Sequence, residues 1–274
     1  MSVKIESFGI TDRGKVRESN QDNFLIVDIR KSVVVQHSSL SDESLGDRFG
    51  NVGGNLFVVA DGVGGGPDGD RASESAITAL LGYVTETVGC FNGATATKEH
   101  ELFDRLEDTV TGVHQRLLAE HEGKRGQAPA TTLTMVLLIW PRAYLIHVGD
   151  SRAYVRRGGQ VQQLTRDQTF GEYMVSVGAW TEEQAAVAKP AATLSSAIGG
   201  TEMQPVVGLV DLEPGDSLML CTDGLTKLVD NDRIADALGK TDSAEAIARQ
   251  LLDQAMHEGG TDNIAVIVVK SREA

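Results

Sequence analysis

The chain has 274 residues, of which 41% are hydrophobic and 23% charged, and this balance is typical of a globular protein long enough to bury a hydrophobic core. Its formal net charge of −14 argues against binding to nucleic acid, which requires a basic surface. No apolar run approaches the ~20 residues that span a membrane, and the N-terminus lacks an apolar signal region. We therefore expect a soluble, cytoplasmic protein.

In the N-terminal part of the chain, strands are predicted first and helices afterwards. Apolar, β-branched runs predict strands, and apolar residues at helical spacing predict helices. In chain order these elements are strands at residues 5–11, 25–29 and 57–60 and helices at residues 71–88 and 101–120. Two segments rich in polar residues and glycine, 36–55 and 122–129, predict loops.

The C-terminal part is mostly predicted strand. In chain order the elements are strands at residues 133–140, 143–150, 152–156, 161–164, 206–210 and 217–221, a helix at 243–257 and a final strand at 264–269. Residues 167–200 are rich in alanine and show only short helical patterns. Because the chain has no repeats and no low-complexity linkers, we predict one α+β domain over residues 1–274, with antiparallel sheets and helices outside them.

The stretch around Asp61 is the most informative for function. An apolar strand ends at Asp61, and four glycines follow within five residues. Glycine lets the backbone approach a ligand closely, so a carboxylate at this strand end suits a hard metal ion. An Asp-Gly pair after a strand is also common in simple turns. Residues 64–69 match the GxGxxG pattern of dinucleotide sites as well, but Asp61, Asp68 and Asp70 would repel a pyrophosphate.

Aspartates recur at four further strand ends. They are Asp22, Asp150, Asp223 and Asp262. Each alone is a common turn or cap residue, but a packed β core can bring five strand ends together. Oxygen-only ligands favour Mg²⁺ or Mn²⁺ over zinc or copper, and several carboxylates at one place require two or more cations. Such a paired-metal site activates a water molecule and holds a phosphoryl oxygen during in-line attack.

Four other polar or sulfur-containing side chains are candidates for a role. Arg17, close to Asp22, is suited to bind phosphate through two guanidinium N–H groups, and its alternative is a solvated surface arginine. Cys221 lies in an apolar run and is predicted to be a small core residue. Cys90 has no predicted role. His147 lies within an apolar run, and we predict that it is a strand or core histidine.

Seven motifs occur in the order in which the metal-dependent type 2C serine/threonine protein phosphatases carry them. They are residues 17–22 (RESNQD), 61–65 (DGVGG), 130–132 (ATT), 149–152 (GDSR), 164–167 (LTRD), 222–225 (TDGL) and 260–263 (GTDN). The chain resembles this family from about residue 9 to residue 269. The resemblance implies a β-sandwich of two antiparallel sheets flanked by pairs of helices, in α-β-β-α layers, with a binuclear Mg²⁺ or Mn²⁺ centre at one end. It also implies a mobile flap, a subdomain within about residues 167–200.

The resemblance assigns metal ligands residue by residue. Asp61 matches the aspartate that bridges both metals, and the Gly62 carbonyl matches a ligand to one of them. Asp223 and Asp262 match the aspartates on the other metal. Asp150 matches the ligand of a third, weaker metal found in bacterial members.

The remaining matches include two departures from the family pattern. Asp22 matches the acidic residue next to the metals, and Arg17 matches the phosphate-binding arginine. Many members have glutamate where this chain has Gln21, so ligation there falls more heavily on Asp22. Animal members carry a histidine, proposed as general acid, where this chain has Val63, which has no proton to donate.

The resemblance implies a phosphatase that hydrolyses phosphoserine and phosphothreonine in proteins with a water or hydroxide bridging two metal ions and no covalent phosphoenzyme. Its partners would be phosphorylated proteins, the targets of serine/threonine kinases, and we expect a monomer that binds neither nucleic acid nor membrane. The alternative is a catalytically weak relative that serves as a regulatory phosphoprotein-binding module. Retention of Asp61, Asp223 and Asp262 argues against that alternative.

Overall fold

The computed structural model describes residues 3–30, 53–63, 67–87, 96–122 and 129–273. Residues 64–66, which belong to the predicted glycine-rich turn, lie outside the described residues, as does Cys90. The same holds for most of the predicted loop 36–55 and for the middle of the predicted loop 122–129.

The described residues contain eleven strands. They are β1 (Val3–Asp12), β2 (Asp22–Arg30), β3 (Gly53–Val63), β4 (Ala130–Thr131), β5 (Leu133–Ile139), β6 (Arg142–Val148), β7 (Arg152–Arg157), β8 (Gln160–Gln163), β9 (Val206–Asp211), β10 (Ser217–Cys221) and β11 (Ile264–Glu273). One sheet has the order β1-β11-β10-β7-β8, and the other has the order β2-β3-β5-β6-β9, with β4 paired to the end of β3. The strand pairs are antiparallel.

The helices lie outside the two sheets. They are α1 (Pro67–Thr87), α2 (Ala96–His121), α3 (Phe170–Ser176), α4 (Glu182–Val187), α5 (Asp223–Thr226), α6 (Asn231–Leu238) and α7 (Ala244–His257), with a 3-10 turn at Lys189–Ala192. Helix α7 begins after Ser243, whose hydroxyl accepts the Ala246 N–H. No helix in the described ranges is long and apolar enough to cross a membrane.

Successive side chains along the central strands point to opposite faces of each sheet, and this alternation builds three apolar layers. On β3, Leu56 and Val58 face helices α1 and α2, whereas Phe57 and Val59 face the other sheet. On β10, Leu218 points into the space between the sheets. The side chains on the outer face of that sheet pack against α5, α6 and α7. A strand that is covered on both faces must be apolar at every position, which explains the unbroken hydrophobic runs in the sequence.

The predicted α+β sandwich is confirmed, with two antiparallel sheets and helices on both sides. Every predicted strand and long helix is present, although α1 begins four residues before its predicted start. Helices α5 and α6 were not predicted. Residues 167–200 contain short helices, as their pattern indicates, and their assignment as a flap within one domain stays a prediction.

Candidate metal centre

Five aspartates from both sheets come together at one end of the sandwich. Asp22 and Asp61 are register partners on the adjacent strands β2 and β3. Asp223 lies two residues after the end of β10, and Asp262 lies two residues before β11. Asp150 lies in the short connection from β6 to β7, which leads from one sheet to the other. The fold therefore delivers these carboxylates to one place from strand ends that are far apart in sequence.

A cleft of about 620 Å³ opens at this end of the sandwich. Asp61, Asp150, Asp223 and Asp262 line it together with Arg17, Gly62, Val63 and Lys227. The lining also includes Leu118 of α2 and part of the segment 192–201, which begins at the end of the 3-10 turn. The cleft lining thus combines strongly charged side chains with small and apolar groups.

Three of the carboxylates form a tight group. Asp61, Asp150 and Asp223 each place a carboxylate oxygen within 4.8 Å of the other two. Burial first of all, and then the charges of Asp22, Asp223 and Asp262, raise the pKa of Asp61 well above its ordinary value. Burial, followed by the charges of Asp223 and Asp61, does the same for the pKa of Asp150. This group carries more negative charge than its surroundings neutralise.

Asp22 lies beneath this group and is 3% exposed. The Thr222 hydroxyl donates a hydrogen bond of 2.6 Å to Asp22 Oδ2. No hydrogen-bond partner among the described residues reaches Asp22 Oδ1. Burial raises the pKa of Asp22 to about 7, although the Thr222 hydrogen bond opposes this change. One oxygen of Asp22 is therefore available to a further ligand.

Asp262 lies outside the three-carboxylate group and forms ion pairs with two cations. Arg17 Nε lies 2.7 Å from Asp262 Oδ1 and Arg17 Nη2 lies 3.0 Å from Oδ2. Lys227 Nζ lies 3.1 Å from Asp262 Oδ2 and 2.5 Å from Asp223 Oδ2. Burial acts to raise the pKa of Asp262, but the hydrogen bonds from Arg17 and Lys227 outweigh it and lower this pKa below its ordinary value.

Hydrogen bonds fix the strand end that carries Asp61. The Asp61 carbonyl accepts from Thr131 Oγ1 at 2.9 Å and from the Thr132 N–H at 2.9 Å. The Asp61 N–H donates to Thr132 Oγ1 at 3.1 Å. Thr132 Oγ1 also lies 2.8 Å from the hydroxyl oxygen of Ser151, the neighbour of Asp150. The motifs at residues 130–132 and 149–152 thus hold the two aspartates in fixed relative positions.

Asn263 anchors the loop that carries Arg17. Its Nδ2 donates to the carbonyls of Arg13 at 2.9 Å and Ser19 at 2.8 Å, and its Oδ1 accepts from the Gln21 N–H at 2.9 Å. These three bonds join the β1–β2 loop to the start of β11. Arg17 and Asp262 therefore meet although 245 positions separate them in sequence.

Two glycines permit close backbone contacts at the site. A Cβ on Gly62 would collide with the carbonyl of Gly69 in α1. A Cβ on Gly224 would collide with the carbonyl of Asn263. The Asp-Gly pairs therefore allow the backbone that follows each aspartate to pack directly against a neighbouring segment.

The sequence alone does not assign a role to three side chains at the site. They are Thr222, Lys227 and Asn263. Each flanks or follows a predicted ligand. For Lys227 the sequence does carry a signal, because residues four positions apart, such as Asp223 and Lys227, lie on the same face of a helix.

Two other predictions concerned residues outside the cleft lining. His147 is buried on β6, where Nδ1 lies 2.8 Å from Thr134 Oγ1 and Nε2 lies 3.2 Å from the Arg166 carbonyl oxygen. Burial lowers the pKa of His147 to about 4. Its prediction as a strand histidine is confirmed, as is that of Cys221 as a core residue, since Cys221 is fully buried.

Known proteins resemble this chain in sequence. The sequence profile of the protein phosphatase 2C family matches residues 37–258. The chain is 31% identical over 245 residues to the serine/threonine protein phosphatase PstP of Mycobacterium tuberculosis (strain CDC 1551 / Oshkosh), with 87% of this chain and 45% of that protein covered. It thus spans about half of that relative. It is 31% identical over 266 residues to the protein phosphatase PhpP of Streptococcus pneumoniae, with 96% of each covered.

Solved structures resemble it in fold. A serine/threonine phosphatase of S. agalactiae superposes with a TM-score of 0.81 at 28% identity, over 98% of this chain and 100% of that one. The catalytic domain of the serine threonine protein phosphatase PstP, in complex with two manganese ions, superposes with a TM-score of 0.75 at 27% identity, over 99% of this chain and 100% of that one.

Proposed function

Because the chain belongs to the protein phosphatase 2C family, we propose that it hydrolyses phosphoserine and phosphothreonine in proteins with the help of divalent metal ions. The observation that carries this proposal is the convergence of five aspartates from both sheets beside a cleft that also holds Arg17. The naming of related proteins as serine/threonine phosphatases, and the manganese ions in one of the similar structures, support it.

The residues at the site fit Mg²⁺ or Mn²⁺. The carboxylates are hard oxygen donors, and three of them are close enough to share a cation. Among the described residues Asp22 Oδ1 is buried without a hydrogen-bond partner, and burial together with the charges of neighbouring aspartates raises the pKa values of Asp61 and Asp150. A bound cation would relieve both features.

We assign the ligands as follows. Asp61 would be shared between two ions, because it matches the aspartate that bridges the two metals in the family, and the Gly62 carbonyl would bind one of them. Asp223 and Asp262 would hold the other ion, with Asp22 beside the pair. Asp150 would hold a third, weaker ion. When bound, two such ions supply positive charge to the phosphoryl oxygens and lower the pKa of a water molecule for in-line attack.

Arg17 would bind and orient the phosphate. Its side chain is 54% exposed at the cleft, so the guanidinium can turn from Asp262 toward a phosphate dianion without unpacking the core. The planar fork of arginine then donates two parallel hydrogen bonds to phosphate oxygens. Val63 lines the same cleft and has no proton to donate, so this proposal places no side-chain general acid at that position.

The test is phosphate release from a phosphothreonine peptide, measured with added Mn²⁺ and with excess chelator. We expect hydrolysis with Mn²⁺ and none with chelator. We expect Asp61→Asn to lower kcat/KM by roughly a thousandfold or more, which corresponds to about 4 kcal/mol of transition-state stabilisation. Asp253→Asn is the matched control, because it makes the same chemical change on the exposed face of α7 and should keep full activity.

Two results would contradict this function. One is undiminished hydrolysis in chelator, and the other is an Asp61→Asn protein as active as Asp253→Asn. If the wild-type protein binds the phosphopeptide in the presence of Mn²⁺ but releases no phosphate, the result favours the phosphoprotein-binding module instead.

A further inference from the structure

The ammonium group of Lys227 bridges two carboxylates of the candidate metal centre. Lys227 follows the last residue of α5, four residues after Asp223. Its Nζ lies 2.5 Å from Asp223 Oδ2 and 3.1 Å from Asp262 Oδ2. Arg17, the other cation that lines the described cleft, forms its ion pair with Asp262. Lys227 therefore joins the two carboxylates that the proposed function assigns to one metal ion.

We propose that Lys227 competes with a divalent cation for Asp223 and Asp262, and that it thereby sets the concentration of free Mn²⁺ or Mg²⁺ at which the site fills. This inference rests on the proposed function, since it concerns the metal ions of that same site. In this view the Lys227 ammonium group is a counter-ion that the chain itself supplies. It has to move away from Asp223 and Asp262 before the second metal ion can bind.

The contacts explain why both cations cannot share these oxygens. A divalent ion binds carboxylate oxygens at about 2.0–2.2 Å and carries twice the charge of an ammonium group. The Oδ2 atoms of Asp223 and Asp262 already face Lys227 Nζ. An ion on the same atoms would approach the ammonium closely, and the two positive charges would repel one another.

Burial makes this pairing more than an ordinary surface ion pair. The side chains of Asp223 and Asp262 are 16% and 17% exposed, so solvent screens their charges poorly. The Lys227 side chain is 46% exposed, so its flexible stem can swing into solvent when a metal ion takes its place. Asp61 and Asp150 place carboxyl oxygens within 4.8 Å of Asp223, so a cation that binds Asp223 lies beside two further oxygen donors.

Metal binding and stability should therefore respond in opposite directions to the loss of Lys227. Without the ammonium, a divalent ion no longer has to displace a competitor, and its affinity rises. In chelator the carboxylates lose their bridging cation, and the folded state is destabilised. A residue that merely packed at the end of α5 would change stability equally with and without metal.

The experiment compares Mn²⁺ binding by isothermal titration calorimetry in wild type, Lys227→Gln, Lys227→Arg and Lys240→Gln. Lys240 is exposed and donates to Gln250 Oε1 at 2.6 Å, so its substitution removes one positive charge away from the site. We expect Lys227→Gln to bind Mn²⁺ roughly tenfold more tightly than wild type, a difference of about 1.4 kcal/mol. Lys227→Arg keeps the charge and should stay near wild type, as should the Lys240→Gln control.

Thermal unfolding provides a second readout that does not depend on activity. In chelator, Lys227→Gln should unfold at a lower temperature than wild type, and with saturating Mn²⁺ this difference should vanish or reverse. Equal Mn²⁺ affinity in wild type and Lys227→Gln, together with equal shifts in Tm under both conditions, would overturn the inference and leave the proposed function intact. If neither protein binds Mn²⁺ or releases phosphate, the proposed function itself has failed.

Discussion

Replacing Asp22 with asparagine should stabilise the protein in chelator, and the gain should grow with pH. Asp22 is 3% exposed, and burial raises its pKa from 3.8 to about 7. The unfolded chain loses this proton near pH 4, whereas the folded protein keeps it until about pH 7. Between these values the folded state binds more protons than the unfolded state, so the free energy of unfolding falls as pH rises.

The size of the effect follows from the two pKa values. Each pKa unit corresponds to about 1.4 kcal/mol, so the ionised Asp22 carboxylate costs about 4 kcal/mol of stability above about pH 7. Asparagine carries no charge, and its amide oxygen can still accept the hydrogen bond from Thr222. Its amide N–H groups can also donate to the neighbouring carboxylates, which Asp22 in its ionised form cannot do.

Urea unfolding followed by circular dichroism, in chelator and at several pH values, measures this difference. We expect wild type and Asp22→Asn to have similar stability near about pH 4, and the variant to be more stable by up to about 4 kcal/mol near about pH 8. Asp61 and Asp150 titrate in both proteins, and besides burial the charge of Asp22 itself raises the pKa of Asp61, so the difference reports the Asp22 carboxylate together with its effect on Asp61. Parallel stability curves for the two proteins across this range would refute the reasoning.

Three further substitutions test other contacts. Arg17→Ala should leave the fold intact and remove a few kcal/mol of transition-state stabilisation, so that kcat/KM falls roughly tenfold for each 1.4 kcal/mol lost. Unchanged kinetics would make Arg17 a solvated surface residue. Thr222→Val removes the donor to buried Asp22 and should lower the free energy of unfolding by about 1–3 kcal/mol in urea titrations, and no loss would mean that another donor takes its place. Gly224→Ala forces a Cβ against the Asn263 carbonyl, so calorimetry should find weaker Mn²⁺ binding and a lower Tm, whereas wild-type values would show that the backbone yields freely.

The strands and long helices could be predicted because their side-chain pattern repeats locally. Strand β3 is apolar on both faces, and α1 and α2 present apolar residues to the sheet at helical spacing. Helix α6, at Asn231–Leu238, was missed because eight residues give too few turns for the period to stand out. Its buried side chains, Ile234, Ala237 and Leu238, become recognisable as a packing face only against α7 and the sheet.

The sequence predicts which aspartates meet at the candidate site, but it does not predict the contacts between them and their neighbours. Aspartates at strand ends are visible in the sequence, whereas the contact between Thr222 and Asp22 joins positions 200 residues apart. The same limit applies to Lys227, whose spacing from Asp223 suggests a helical pair but not the second contact with Asp262. Such contacts depend on the register of both sheets and on the loops between them, and a local pattern carries no information about either.

The electrostatics of the site account for the way its carboxylates are partnered. Three carboxylates within 4.8 Å of one another would destabilise a protein that left them all ionised and unpaired. The fold limits this cost through raised pKa values at Asp61 and Asp150, which disfavour their ionised forms, and through Lys227, which pairs with Asp223. A doubly charged metal ion would displace both carboxyl protons and the ammonium group. Metal binding should therefore release protons and free a lysine, and the same groups that keep the folded chain stable set how readily it takes up its metal.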